Sequence, residues 1–134
     1  MPLDTKTWQG RVFDSFDVMV TEEMIRAFAE ALGETYTDTA PHSFPIRLYM
    51  DGPHGQEQLK SLGVPLKNVL HAGQGFSHFA PIRAGMVVTC STRTESVSQS
   101  KSGAMIFVTF KMEFHEAETL LAQMSFSLAV RNTK

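Results

Sequence analysis

Five histidines, one cysteine and 14 acidic side chains are the groups in this chain with chemistry to offer. Acid–base chemistry needs two such groups within hydrogen-bond reach of the same substrate atoms. His71 and His78 fall in one strand-like stretch, VLHAGQGFSHF. They are an odd number of positions apart, so in a regular strand they face opposite sides. His42 follows Pro41, while His54 and His115 read as loop and strand-end residues. Taken alone, all five read as surface or hydrogen-bonded structural histidines. No His, Cys and acid cluster has the spacing of metal ligands, so no metal site is expected. Cys90 sits in a strand pattern and reads as a small packed hydrophobe rather than a nucleophile. A lone cysteine also excludes an intrachain disulfide and fits a reducing compartment.

The elements that must position these groups are unevenly marked. Residues 8–20 alternate partially through Val12, Phe13, Phe16, Val18 and Val20, which predicts a strand. Thr21 then has the character of an N-cap, and Glu22 and Glu23 suit the first turn of a helix, where the dipole favours negative charge. Ile25, Phe28, Ala29 and Leu32 form one apolar stripe, and Gly33 supplies the stop, so a helix is predicted over 22–32. Residues 34–67 carry so many prolines and glycines that no long helix is expected there, only a short one over Gly55–Leu62. Strands follow over Val69–Phe79 and within Met86–Val97, with a hairpin connection at 98–103. The clearest signal is the period-2 alternation over Ala104–Phe114 and Leu120–Val130, which marks a sheet covered on one face.

At 134 residues the chain suits one domain, 1–134. A composition 43% hydrophobic and 19% charged, with net charge −2, is ordinary for a globular protein and gives no footprint for nucleic acid. No 18-residue apolar run and no basic-then-apolar leader is visible, so a soluble cytoplasmic protein with no membrane contact is expected. One predicted helix of roughly 11 residues, about 16 Å long, is short for covering a sheet of about five strands. The remainder must be covered by the irregular segment, by an apolar ligand or by a partner chain, and the partner is the expected cover.

The stretch VLHAGQGFSHFAPIRAGM resembles the second strand and following turn of MaoC-like hydratases/dehydratases, through Gln74, Phe79, Pro81 and Gly85; Met86 stands where Asp is usual. TEEMIRAFAEALGE is similar to that family's first helix, and APHSFP to a segment of its N-terminal, FAS1-like dehydratase subgroup. The resemblance covers essentially the whole chain. It implies an α+β hotdog fold: an antiparallel sheet of about five strands curled around a helix, here short or broken. Active members carry a G-D-x-N-P-x-H segment whose Asp and His act as base and acid on the thioester. The corresponding residues here are Gly33-Glu34-Thr35-Tyr36-Thr37-Asp38, with Glu34 in place of the first acid and Tyr36 near the histidine position. A tyrosine with an ordinary pKa near 10 is a poor base at neutral pH. The family pair is therefore missing from its place, and Glu34 and His42 are the candidate substitutes for it.

The resemblance implies a ligand, an acyl-CoA or acyl-ACP thioester, and no cofactor. Tyr36, His71, Gln74, Phe76 and Arg83 are the candidate substrate-binding residues, Arg83 as a contact for phosphates. Without the Asp–His pair, the first reading is a non-catalytic, acyl-binding subunit of a heteromeric enoyl-thioester hydratase/dehydratase, whose partner supplies the catalytic groups. Two readings stay open beside it. One is a self-sufficient homo-oligomer, a hydratase using Glu34 or His42 or a thioesterase using Asp38 or Asp51. The other is a non-enzymatic acyl-thioester binding protein.

Overall fold

The computed structural model describes residues 8–51 and 66–131. Its elements are β1 (Phe16–Met19), α1 (Glu22–Ala31), α2 (Pro45–Asp51), β2 (Val69–His78), β3 (Val87–Gln99), β4 (Met105–Glu116) and β5 (Thr119–Arg131). A single 3-10 turn, Leu66–Asn68, leads into β2. The strands form one antiparallel sheet in the order β1-β3-β4-β5-β2, with α1 and α2 on the chain between β1 and β2, which is the hotdog arrangement.

The alternation on the last two strands governs the core. Ile106, Val108, Phe110, Met112 and Phe114 of β4, and Ala122, Met124, Phe126, Leu128 and Val130 of β5, are all buried on one face. Direct antiparallel partners share a face, and the register pairs Phe110 with Phe126 and Met112 with Met124. The Phe110 and Phe126 rings stack at 5.0 Å. Cys90 is buried on the same face of β3, packed as its strand pattern implies.

Helix α1 forms where its caps predict. The Thr21 hydroxyl accepts from the Met24 amide at 3.1 Å, and Gly33 takes a positive φ of 76° just past the end. Of its apolar stripe, Ile25 and Ala29 are buried, whereas Leu32 caps the helix and is largely exposed. Helix α2 was not foreseen in sequence, because Pro45 reads as a breaker. Proline at the first helical position costs no hydrogen bond, since that amide has no intrahelical partner. From there Phe44, Leu48 and Tyr49 all point into the core. The short helix expected over Gly55–Leu62 lies outside the described residues.

Two expectations need correction. The strand expected over residues 8–20 is only Phe16–Met19. Upstream, Val12 makes an isolated bridge to Arg93, with the Phe13 amide donating to the Thr92 carbonyl at 3.0 Å. Gly10, at φ 71°, turns this strap. Over β4 and β5 the inner face, where a partner was the expected cover, is covered by the chain itself, while His71 and Gln74 on β2 stay exposed. Trp8 and Phe13 pack against Phe110 at 5.9 and 6.2 Å, and Tyr49 packs against Phe126 at 5.1 Å. Irregular segments with well-placed aromatics bury more area than an eleven-residue helix alone suggests.

Candidate functional site

Apart from the buried hydroxyls of Thr92 and Thr94 on β3, the polar side chains on the sheet's inner face that could meet a ligand lie on β2, its edge strand. The pairing of β2 with β5 shifts between His71 and Gly73, leaving Ala72 as an extra residue. On either side of that bulge His71 pairs with Leu128, Gln74 with Phe126, Phe76 with Met124 and His78 with Ala122. Each of those β5 partners is buried in the core, so His71, Gln74, Phe76 and His78 all face inward. This corrects the expectation that His71 and His78 point to opposite sides: one extra residue inverts the phase of the alternation. Gly73 and Gly75 were the available signal, since glycine inside a strand pattern marks bulges.

Two local pairs result. The His71 Nε2 lies 2.7 Å from Gln74 Oε1, so the imidazole N–H donates to the amide oxygen and leaves the Gln74 NH2 group to point elsewhere. At the other end of the strand, the His78 Nε2 donates to the backbone carbonyl of His42 at 2.6 Å. A carbonyl only accepts, so Nε2 carries a proton, and in the neutral ring the lone pair is on the His78 Nδ1. The two imidazoles lie 4.6 Å apart, and the His42 ring meets the edge of Phe76 at 5.8 Å. His78 is a residue that sequence reasoning did not select, because only the folded chain brings the loop before α2 onto the end of β2.

That loop is tied down by its backbone. The Ala40 amide donates to the Ile82 carbonyl at 2.8 Å, and Thr39 forms an isolated bridge with Arg83. The segment Thr39–Ala40 thereby borders two open clefts. One, of about 240 Å³, is lined by Glu34, Thr35, Thr37 and Pro41; the other, of about 310 Å³, is lined by His42, His78, Phe79 and Pro81. The two candidate catalytic residues, Glu34 and His42, line different clefts.

The remaining candidates are held by other elements. Tyr36 is half-buried against α1, with the Arg26 guanidinium 4.1 Å above its ring while also pairing with Glu22 at 2.7 Å. Arg83 is exposed in the turn after β2. Its amide donates to the Met86 sulfur at 3.4 Å, so the methionine that departs from the family pattern still accepts a bond there. Of the five proposed substrate-binding residues, the fold brings His71, Gln74 and Phe76 onto one surface. Among the described residues no group of three or more His, Cys, Asp or Glu side chains gathers as a metal site.

Residues 7–123 match the family described as the FAS1-like dehydratase domain region. A UPF0336 protein of Thermobifida fusca (strain YX) is 31% identical over 102 residues, covering 65% of this chain and 67% of that protein. The C-terminally truncated HadBC (3R-hydroxyacyl-ACP dehydratase) complex of Mycobacterium tuberculosis has a similar chain, with TM-score 0.72 and 18% identity over 91% of this chain and 96% of that one. The ChsH1-ChsH2 complex of the same organism gives TM-score 0.72 and 15% identity, covering 92% of this chain and 85% of that one. At these identities the structural likeness is one of fold.

Proposed function

The chain belongs to the FAS1-like dehydratase domain family, among the MaoC-like hotdog dehydratases, and on that premise we propose that it is the non-catalytic, acyl-binding subunit of a heteromeric enoyl-thioester hydratase/dehydratase. In this reading residues 1–134 form one hotdog domain in the cytoplasm. A partner chain supplies the acid and base that add water across, or remove it from, the α,β carbons. The thioester lies along the inner face of β2, where Gln74 can donate an N–H to a carbonyl and Phe76 offers apolar contact.

The observation that carries the proposal is at Tyr36. It stands near the position of the family's catalytic histidine, and the Arg26 guanidinium lies over its ring at 4.1 Å. Tyrosine in place of histidine is a poor general base at neutral pH, and the guanidinium over its ring ties the side chain to α1. Glu34 is exposed and lines a cleft apart from the inner face of β2. For the partner, β2 is an edge strand of ten residues, and an unpaired edge offers a row of backbone groups to a second chain. Two of the similar folds, HadBC and ChsH1-ChsH2, occur in complexes. No helix among the described residues is long and apolar enough to cross a membrane.

The test is to purify the chain alone and assay hydration of crotonyl-CoA and longer enoyl-CoA esters. The expected result is binding without turnover, with activity appearing when a MaoC-like chain carrying the intact Asp–His motif is added. Robust turnover by the chain alone would sink the proposal. Binding with no turnover beside any such partner would favour a non-enzymatic binding protein.

A further inference from the structure

We infer that His42 and His78 form a two-histidine site for a divalent transition-metal ion, at the mouth of the cleft beside Phe79 and Pro81. The inference stands apart from the subunit proposal and uses neither its substrate nor its partner. Histidines that bind metals nearly always donate their second ring N–H to a carboxylate, a backbone carbonyl or water, which fixes the tautomer and raises the basicity of the ligating nitrogen. His78 has this arrangement: its Nε2 donates to the His42 carbonyl at 2.6 Å, leaving the Nδ1 lone pair as the ligand.

The second ligand is the His42 ring itself. Its centroid lies 4.6 Å from that of His78, tilted by 47°. With metal–nitrogen bonds of about 2.0–2.1 Å, two imidazoles on one tetrahedral ion have ring centres roughly 5 Å apart. The observed centroid separation is close to that value, and the exposed His42 ring can turn to aim a nitrogen at the ion. Among the described residues no hydrogen bond engages the His42 ring nitrogens. The edge of Phe76, 5.8 Å from the His42 ring, backs one side and limits its rotation. The cleft of about 310 Å³ leaves room for water to complete the coordination sphere.

With no acid or cysteine among the cleft-lining residues, the ion's charge goes uncompensated by the protein and the site is weak and exchangeable. Imidazole ligands without thiolate favour Cu2+ over Zn2+ in the usual order of stability. Binding also joins the loop before α2 to the end of β2 by a second link, beside the existing hydrogen bond. Metal that binds only the folded chain then raises its thermal midpoint. Ligand pairs of this kind escape spacing rules because their members lie 36 positions apart.

The experiment titrates the untagged full chain with zinc chloride and with copper chloride by calorimetry near neutral pH, and follows the imidazole nitrogens by NMR. One equivalent should bind, Cu2+ more tightly than Zn2+, with the His78 Nδ1 and a His42 ring nitrogen shifting first. His42→Gln and His78→Gln should each weaken binding at least about tenfold, while His115→Gln leaves it unchanged. Circular dichroism of each variant without metal shows whether it is folded. His42→Gln alters an exposed side chain and keeps the carbonyl that His78 uses, so it remains informative if His78→Gln misfolds. No binding of either metal up to millimolar concentration overturns the inference, as does binding that survives in the folded His42→Gln variant. Failure here leaves the subunit proposal untouched, since that is read by enoyl-CoA binding and turnover in metal-free buffer.

Discussion

His71 and His78 lie on the same face of β2 although they are an odd number of positions apart, because Ala72 is a bulge in the pairing with β5. The bulge turns His71 onto the inner face that Gln74, Phe76 and His78 share, within 2.7 Å of Gln74. Without it, Val69 and His71 would turn to the outer face, and the inner surface of β2 would lose the support that orients Gln74.

A thermodynamic cycle follows from the His71–Gln74 pair. If Gln74 donates to the bound thioester and His71 holds its amide in place, Gln74→Leu should weaken crotonyl-CoA binding by about tenfold, the worth of one hydrogen bond of about 1.4 kcal/mol. His71→Ala should weaken it several-fold, and the double variant should be little worse than Gln74→Leu alone. Calorimetric titration of the four proteins checks this. Strictly additive losses would show that His71 does not act through Gln74.

The turn between β4 and β5 carries a strained residue. Ala117 sits at φ 51°, a left-handed conformation that costs an L-residue about 1 kcal/mol. Ala117→Gly should therefore stabilise the protein by up to about 1 kcal/mol, and Gly103→Ala, at φ 75° in the preceding hairpin, should destabilise it by a similar amount. A Cβ on Gly103 would meet nothing within 4 Å, so strain alone is responsible there. Urea unfolding of both variants gives the signs directly.

Cys90 makes stability depend on alkaline pH. Burial, with a smaller contribution from the charge of Asp17, pushes its thiol from an ordinary 9.0 up to about 12. Above pH 9 the unfolded chain gives up this proton while the folded chain keeps it. The thiol's contribution is thus fully present below pH 9 and is lost as pH rises towards 12. Between pH 8 and 10 the loss should be about 1.4 kcal/mol. Burial also raises Tyr49, which adds to the decline in the same direction. The slope of unfolding free energy against pH should be shallower in Cys90→Ala, and native Cys90 should resist iodoacetamide at pH 8.

Phe110 joins the sheet to its cover. It is 1% exposed and touches the rings of Trp8, Phe13 and Phe126. Phe110→Ala should cost about 3–5 kcal/mol, through the lost burial and the cavity that remains. Val12→Ala, at a residue 75% exposed, should stay within about 0.5 kcal/mol. Denaturant midpoints distinguish the two, and near-equal losses would mean that the strap does not pack on Phe110 as described.

By itself the sequence determined what local chemistry and short periods can encode. The Thr21 cap, the Gly33 stop and the buried stripe of α1 follow from residues within four positions of one another, and the alternation of β4 and β5 has one face regardless of what covers it. The missing Asp–His pair was legible for the same reason, since it is a statement about residue types in one segment. Tertiary structure decided the rest. Pro45 begins a helix because the core receives Phe44, Leu48 and Tyr49, and the bulge at Ala72 exists because β5 fixes the register on both sides of it. The meeting of His42 with His78 depends on the bond from Ala40 to Ile82 and on the pairing of His78 with Ala122. Side-chain phase in a strand is a sum over every residue before it, so a single unpaired residue decided which side of β2 His71 shares with Gln74, Phe76 and His78.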